Sequence, residues 1–263
     1  MKYRMHILDD PSELSERAQD LLRRTGRRER PVRFEVPIEM WRVRDRTGRL
    51  VPAPMELIIR CEGFEQRFGG LRYQVRHSWT LDGARYETAR SWEFDHFGVK
   101  TGAWQDPVRG GWYFEWLGER VSKPCRDLLH TDGGVGTDVD GGSPYLPVAP
   151  SVTHLIESHA LTDAVSVWRP WPVAGSAAVS AAEALGGLVE VPEASWETSR
   201  WRLSDSVAVF DSESWDRENP SRRVRIWSRN EVGHREVRVS ETPTSRGTNT
   251  QRSVGLELGQ PSA

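Results

Sequence analysis

Asp95 and His96 stand side by side, an arrangement able to act as an acid/base pair. Glu93 lies just before them, and Glu115 sits in a later run of the same alternating kind. Two carboxylates flanking a cleft can hydrolyse a glycosidic bond, so Asp95/His96 or Glu93/Glu115 would serve a hydrolase. Each has a plainer role as well. Asp-His after a strand suits a turn, and two glutamates on the polar side of a sheet suit solvent. The only cysteines, Cys61 and Cys125, exclude a disulfide scaffold and a four-thiolate zinc site. Cys61 falls in an apolar helical pattern and reads as packing. His154 and His159 are about 140° apart round a helix, so they cannot ligate one metal from one face. His77 falls on an aromatic strand face and reads as a core or cleft histidine. The Gly/Asp stretch 132–142 lacks the Gly-Lys-Ser/Thr ending of a phosphate loop. Gly133 to Asp138 matches the start of a calcium nonapeptide, but that site needs stacked copies and an apolar residue where Asp140 stands. Counted from Asp138, the twelfth position is Ala149, so the EF-hand pattern fails too. The stretch reads as a hairpin loop, with ion binding left open. No Gly-x-Ser-x-Gly elbow occurs. The residues therefore point to no catalytic group, no metal and no cofactor.

Around these residues the chain predicts an α+β fold, an antiparallel sheet with helices packed mainly on one face. Asp10 caps a first helix, with Pro11 at its start, Glu13 completing a capping box, and Leu14, Ala18, Leu21 and Leu22 on one face up to Gly26. Pro54 opens a second, with Leu57, Ile58, Cys61, Phe64 and Phe68 at helical spacing. Gly69 and Gly70 stop it as a left-handed cap would. Gly63 inside it suggests close backbone packing. Tyr73, Val75, His77 and Trp79 then alternate with polar residues, Asp82-Gly83 reads as a hairpin turn, and Tyr86, Thr88, Arg90, Trp92 and Phe94 alternate again. Trp112, Phe114 and Trp116 make a third such run. Pro150-Ser151 opens a helix bearing Val152, Leu155, Ile156 and His159. Trp168 to Pro172 breaks structure, 177–185 is an Ala-rich helix, Val207–Phe210 and Val224–Trp227 are short strands, and Val237 and Val239 suggest an edge strand. From Ser240 the composition predicts a disordered tail.

Bulk properties narrow the function classes. The chain has 263 residues, with 36 basic against 38 acidic, a net charge of −2. Binding to nucleic acid through bulk charge is not expected. No apolar run is long enough to cross a membrane, and the start lacks a secretory core segment. The expected location is the cytosol. Only Lys2, Lys100 and Lys123 are lysines, so arginine dominates the basic set, as in proteins of high-GC bacterial genomes. The run Arg23 to Arg30 reads as a wet surface. Twelve tryptophans are the oddest feature. Large aromatics fill cores, and they also anchor protein interfaces.

Phe64-Glu65-Gln66-Arg67-Phe68-Gly69-Gly70-Leu71-Arg72-Tyr73 resembles the helix-end, Gly-Gly-Leu and first-strand passage of the SUKH superfamily. Asp132-Gly133-Gly134-Val135, followed by Leu146 to Val152 and Leu155-Ile156-Glu157, is similar to that family's final hairpin and closing helix. Together the passages cover about residues 55–160. The resemblance implies a cytosolic, non-enzymatic binder, like the bacterial immunity proteins that block toxins, often nucleases. It implies a protein partner, a toxin domain encoded nearby being one candidate, and a regulatory adaptor without a toxin being another. The sheet then supplies the partner-binding residues, expected at Tyr73, Arg90, Trp92, Trp112, Glu115 and Trp116, with Gly69 and Gly70 structural. A local acidic patch is expected around Glu87, Glu93, Glu115 and Glu119. The organisation expected is 1–53 as an N-terminal helix and connecting segment, 54–165 as the SUKH-like core, 166–239 as an elaboration that extends the sheet or forms a second module, and 240–263 as the tail.

Overall fold

The computed structural model describes residues 5–29, 40–81, 84–96, 103–121, 125–138, 145–172, 175–213, 222–231, 233–235 and 237. The expected turn at Asp82-Gly83, the end of the Gly/Asp stretch, Val239 and the tail lie outside them. In chain order the elements are α1 (Glu16–Thr25), β1 (Arg27–Arg28), β2 (Arg42–Arg44), β3 (Leu50–Pro52), α2 (Met55–Phe68), β4 (Leu71–Leu81), β5 (Ala84–His96), β6 (Ala103–Gln105), β7 (Trp112–Glu119), β8 (Arg126–His130), β9 (Val135–Asp138), β10 (Leu146–Ala149) and α3 (Val152–Val165). Then follow β11 (Arg169–Pro170), α4 (Gly175–Ala184), β12 (Val189–Glu190), β13 (Ser199–Leu203), β14 (Val207–Glu213) and β15 (Arg222–Ser228).

The fold is α+β, as the alternation predicts. The first sheet runs β1-β4-β5-β7-β6-β2-β3, and β8, β9 and β10 continue it from the other edge of β7. Its pairings are antiparallel except for the β2–β6 contact at Arg44 and Trp104. The strands of 166–239 do not extend this sheet. They form a second one, β11-β15-β14-β13-β12. The segment Trp168 to Pro172 is not simply a break, because Arg169 and Pro170 pair with β15. Val237 is helical and buried beside α4's sheet, not an edge strand. Ile7, Leu14, Leu21, Leu22 and Val43 share one core with α2 and β4, so that core runs straight across position 53.

Local chemistry explains the starts and stops. α1 begins at Ser15, not Asp10: Ser15 Oγ accepts from the Ala18 N–H, while Asp10 Oδ1 accepts from Ser12 in a turn upstream. Leu14, Ala18, Leu21 and Leu22 are buried as their spacing predicts. In α2, Leu57, Cys61 and Phe64 face the core. Gly63 is exposed with open space around it, so no neighbour requires a glycine there. Arg67 is the surprise of this helix. It is buried because its guanidinium donates to the Asp10 carbonyl at 2.8 Å and to Glu13 at 2.8 Å, fastening the N-terminal segment. The two glycines that end α2 work differently. Gly69 has an ordinary extended backbone (φ −56°, ψ 127°), yet a Cβ there would lie 2.4 Å from the Glu65 carbonyl oxygen. Gly70 has φ +76°, the left-handed conformation that turns the chain into β4.

Gly70→Val is expected to cost about 1–3 kcal/mol by forcing a β-branched residue to positive φ. Denaturant unfolding checks this. An unchanged midpoint would contradict the helix-end geometry.

Candidate functional site

The carboxylates singled out for hydrolysis are held by arginines and backbone amides. Asp95 is buried; it accepts from the Gly70 N–H at 2.9 Å and from Arg72 at 2.7 Å. It therefore clamps the α2–β4 turn and is not free for acid/base work. His96 ends β5 opposite Trp116, and its side chain lies outside the description. Glu93 is bracketed by Arg72 at 3.5 Å and Arg120 at 3.4 Å. It lines a shallow recess of about 330 Å³ with Leu117, Gly118, Glu119, Arg120 and Val121. Glu115 is not in that recess. It lies three residues along β7 from the strand partner of Glu93, on the order of 10 Å at strand spacing. Burial raises the Glu115 pKa, Arg126 opposes the rise, and Asp127 and Asp138 add to it.

The described part of the Gly/Asp stretch, 132–138, is a hairpin turn followed by β9. Asp132 accepts from the Gly134 N–H at 2.8 Å and pairs with Arg109 at 2.7 Å. Asp138 is paired with Arg126. Among the described residues, no group of three His, Cys, Asp or Glu is placed to hold a metal.

The aromatic residues divide by position along the strands. Tyr73, Trp112 and Trp116, expected at a partner-binding surface, are instead core residues, Trp116 being 1% exposed. The curl of the first sheet brings β5 and β7 over α2. Phe64 lies 5.8 Å from Phe114 and 6.1 Å from Trp116, and Phe94 lies 4.8 Å from Trp116. A folded chain cannot offer these rings to a partner. Trp92 is half-buried, stacked 6.3 Å from Trp116 and 4.1 Å from His159. Arg90 and Glu115 keep solvent contact.

Alternation misses three other residues, because it marks a face without saying where the core ends. β4 and β5 pair without interruption from Leu71↔Phe94 to Leu81↔Ala84 and outrun the helices beneath them. At the far end Trp79 is 41%, Leu81 56% and Tyr86 45% exposed, with the Trp79 and Tyr86 rings stacked 5.9 Å apart. The available signal is strand length. Two runs of eleven and thirteen residues exceed what one small helix layer can cover.

Charge around this ribbon differs from the acidic patch expected. Glu87 pairs with Arg85 at 2.6 Å and Glu119 with Arg90 at 3.0 Å, and Glu93 is paired as above, so these three acids are neutralised where they stand. Among the described residues no carboxylate pairs with Arg223 or Arg225 beside the ribbon. Burial, then Arg90 and Arg223, lower the Arg225 pKa. Burial, then Arg90 and Arg225, bring His77 down to about 4. His159 is held still more firmly neutral, by burial and then by His77, and its Nδ1 lies 2.7 Å from the Tyr73 hydroxyl.

The chain matches no family model, no curated protein and no solved structure. Among the described residues no helix is long and apolar enough to cross a membrane.

The two neutral histidines set a pH dependence. Unfolded histidine titrates near 6.5, so below that pH the unfolded chain binds more protons than the folded one. Stability is therefore complete above about pH 6.5 and falls as pH drops toward 4. For His77 alone the loss between pH 7 and pH 5 is on the order of 1–2 kcal/mol. Urea unfolding at both values checks this, and His77→Gln should flatten part of the difference. A wild-type midpoint that is equal at the two pH values would refute it.

Proposed function

We propose that the chain is a non-enzymatic protein-binding module of the kind that the SUKH resemblance implies, a cytosolic immunity-like protein that blocks a toxin domain encoded nearby. The observation that carries this reading is the stacked pair Trp79–Tyr86, with Leu81, on a ribbon that projects past its own core. Large rings left in water on a long rigid strand pair are costly to solubility. They are also effective anchors, because they bury much area with few rotatable bonds. Arg223 and Arg225, on the second sheet beside Arg90, favour an acidic rim on the partner. That charge suits a toxin gripped outside a basic, nucleic-acid-binding cleft better than one whose cleft is plugged by an acidic mimic.

The regulatory-adaptor version shares the same surface and differs in having no toxin. A hydrolase on Asp95/His96 or Glu93/Glu115 is the weaker reading, since Asp95 and Glu93 are neutralised by arginine and Glu115 lies outside the recess that Glu93 lines.

Co-expression with the toxin domain from the adjacent gene tests the proposal. Wild type should restore growth and bind the toxin, while the double variant Trp79→Ala/Tyr86→Ala should lose at least about tenfold in affinity with its melting temperature nearly unchanged. Trp116→Ala should instead cost about 3–5 kcal/mol of stability, as a buried tryptophan does. Cells that die equally with and without the wild-type chain would remove the immunity reading. Full binding by the double variant would remove this surface.

A further inference from the structure

The β4–β5 ribbon has a second property besides its exposed rings. From Ala84 to Arg90, β5 is paired on one side only among the described residues. β4 lines one edge throughout, whereas β7 joins the other edge only from Trp92 onward. The Ser91 carbonyl on that second edge accepts from the Arg120 N–H at 2.8 Å. In an antiparallel ribbon, alternate residues direct their backbone groups to the same side. The N–H and C=O groups of Arg85, Glu87 and Ala89 therefore point outward along the unpaired edge. All residues of Ala84–Arg90 except Thr88 are exposed. The run has no proline, no bulge and no lysine, and the charges it does carry are Arg85, Glu87 and Arg90. The one irregularity in β5 falls between Glu93 and His96.

We propose that a second copy of this chain pairs antiparallel along this edge, about a two-fold axis at Tyr86. The register follows from backbone parity and charge. Outward-pointing residues must oppose outward-pointing residues, which leaves axes at Tyr86, Glu87 or Thr88. An axis at Glu87 sets two carboxylates face to face. An axis at Thr88 sets Glu87 against the partner's Ala89, and Arg85 against the partner's Ser91, whose carbonyl Arg120 already occupies. An axis at Tyr86 sets Arg85 against the partner's Glu87, and Glu87 against the partner's Arg85. Within one chain Arg85 and Glu87 already pair at 2.6 Å on one face of the strand. Two copies turn that pair into a closed square of alternating charges, an arrangement that favours cross-strand pairing. On the opposite face Tyr86 meets the partner's Tyr86. The two Trp79–Tyr86 stacks then form one continuous aromatic row across the two copies. The pairing is isologous, as a two-fold dimer requires. It rests on the backbone edge and its charges, and it holds whether or not the aromatic row receives a toxin.

Sedimentation equilibrium on the purified full chain tests it without any other protein. The wild-type mass should rise toward twice the monomer value as concentration increases. Arg85→Glu and Glu87→Arg should each weaken the dimer by about tenfold, because each places like charges opposite one another. An equimolar mixture of the two variants should dimerise again, since Glu at 85 then faces Arg at 87 in one pair and Glu at 87 faces Arg at 85 in the other. Glu87→Pro removes an outward N–H without touching the β4 ladder and should abolish association. Circular dichroism confirms that each variant is folded. A wild type that stays monomeric at the highest concentration would overturn the proposal. So would a dimer indifferent to the charge changes, or a mixture no better than the single variants.

Discussion

A helix buried on every side must satisfy every polar group it carries, and α3 is such a helix. It lies between the two sheets. Leu155, Ile156 and Ala160 face the first core, while Leu161 and Val165 face Trp201, Ala208 and Trp227 of the second. Its polar residues are tethers to the layers around it. Glu157 accepts from the Ser15 N–H and hydroxyl, both at 2.6 Å, and so fixes the start of α1. Ser158 accepts from the Trp201 indole at 2.9 Å, His159 meets Tyr73, and Asp163 accepts from Arg24 and from the backbone and side chain of Arg76. Burial pushes the Asp163 carboxyl up, but the hydrogen bonds from Arg76 and Arg24 outweigh it and hold the pKa below the ordinary value. Removing any one partner leaves a polar group stranded in a medium that cannot solvate it, which costs more than the bond itself contributes.

That constraint explains which aromatic residues reach solvent. α3 and α2 cover the first sheet only over the half of the β4–β5 ribbon that holds Tyr73, Val75, Trp92 and Phe94. Past His77 neither helix covers this face; Arg85 and Thr80 tie the ribbon to the Ser166 and Pro170 carbonyls, and the same alternation that buries Tyr73 exposes Trp79. A separate aromatic group sits on the sheet's other side, where Tyr113 lies 5.7 Å from Trp104 and 6.0 Å from Tyr145, with Arg126 4.3 Å above Trp104. Gly136 is what admits the Tyr145 ring, since a Cβ there would stand 2.3 Å from it. The glycine that resembles part of an ion-binding loop is a packing glycine.

Much of this was legible in the residues, and the limits have physical causes. Helical spacing located α1, α2 and α3, because an amphipathic stripe is a local property of the chain. Gly70 announced its own positive φ. Alternation located β4, β5 and β7, but not whether Trp112 and Trp116 face helix or water, since both faces of a strand show the same period. The capping residue of α1 was misplaced because Asp10 and Ser15 both suit a cap, and the choice is made by Glu157, some 140 positions away. Short strands such as β2, β6 and β10 carry too few residues for a period to show. They exist because a neighbouring strand offers each an edge: β7 for β6, β6 and β3 for β2, and β9 for β10. The second sheet was visible as strands but not as a sheet, because pairing partners are not a local property.

The abundance of arginine has a structural consequence that net charge conceals. Arg67 and Arg72 from buried positions, and Arg76 from an exposed one, each reach several acceptors at once, which the planar, five-donor guanidinium permits and an ammonium does not. These cations are internal pins, neutralised within a few ångströms, so they contribute little field outside the molecule. A total of −2 therefore says little about what the surface attracts. Long-range attraction must come from places where local cancellation fails. Among the described residues no carboxylate pairs with Arg223 or Arg225, and both stand on the same face of β15 next to Arg90. The uncancelled charge thus lies beside the ribbon that carries the exposed rings, and a partner drawn there by its acidic groups arrives where Trp79 and Tyr86 can hold it.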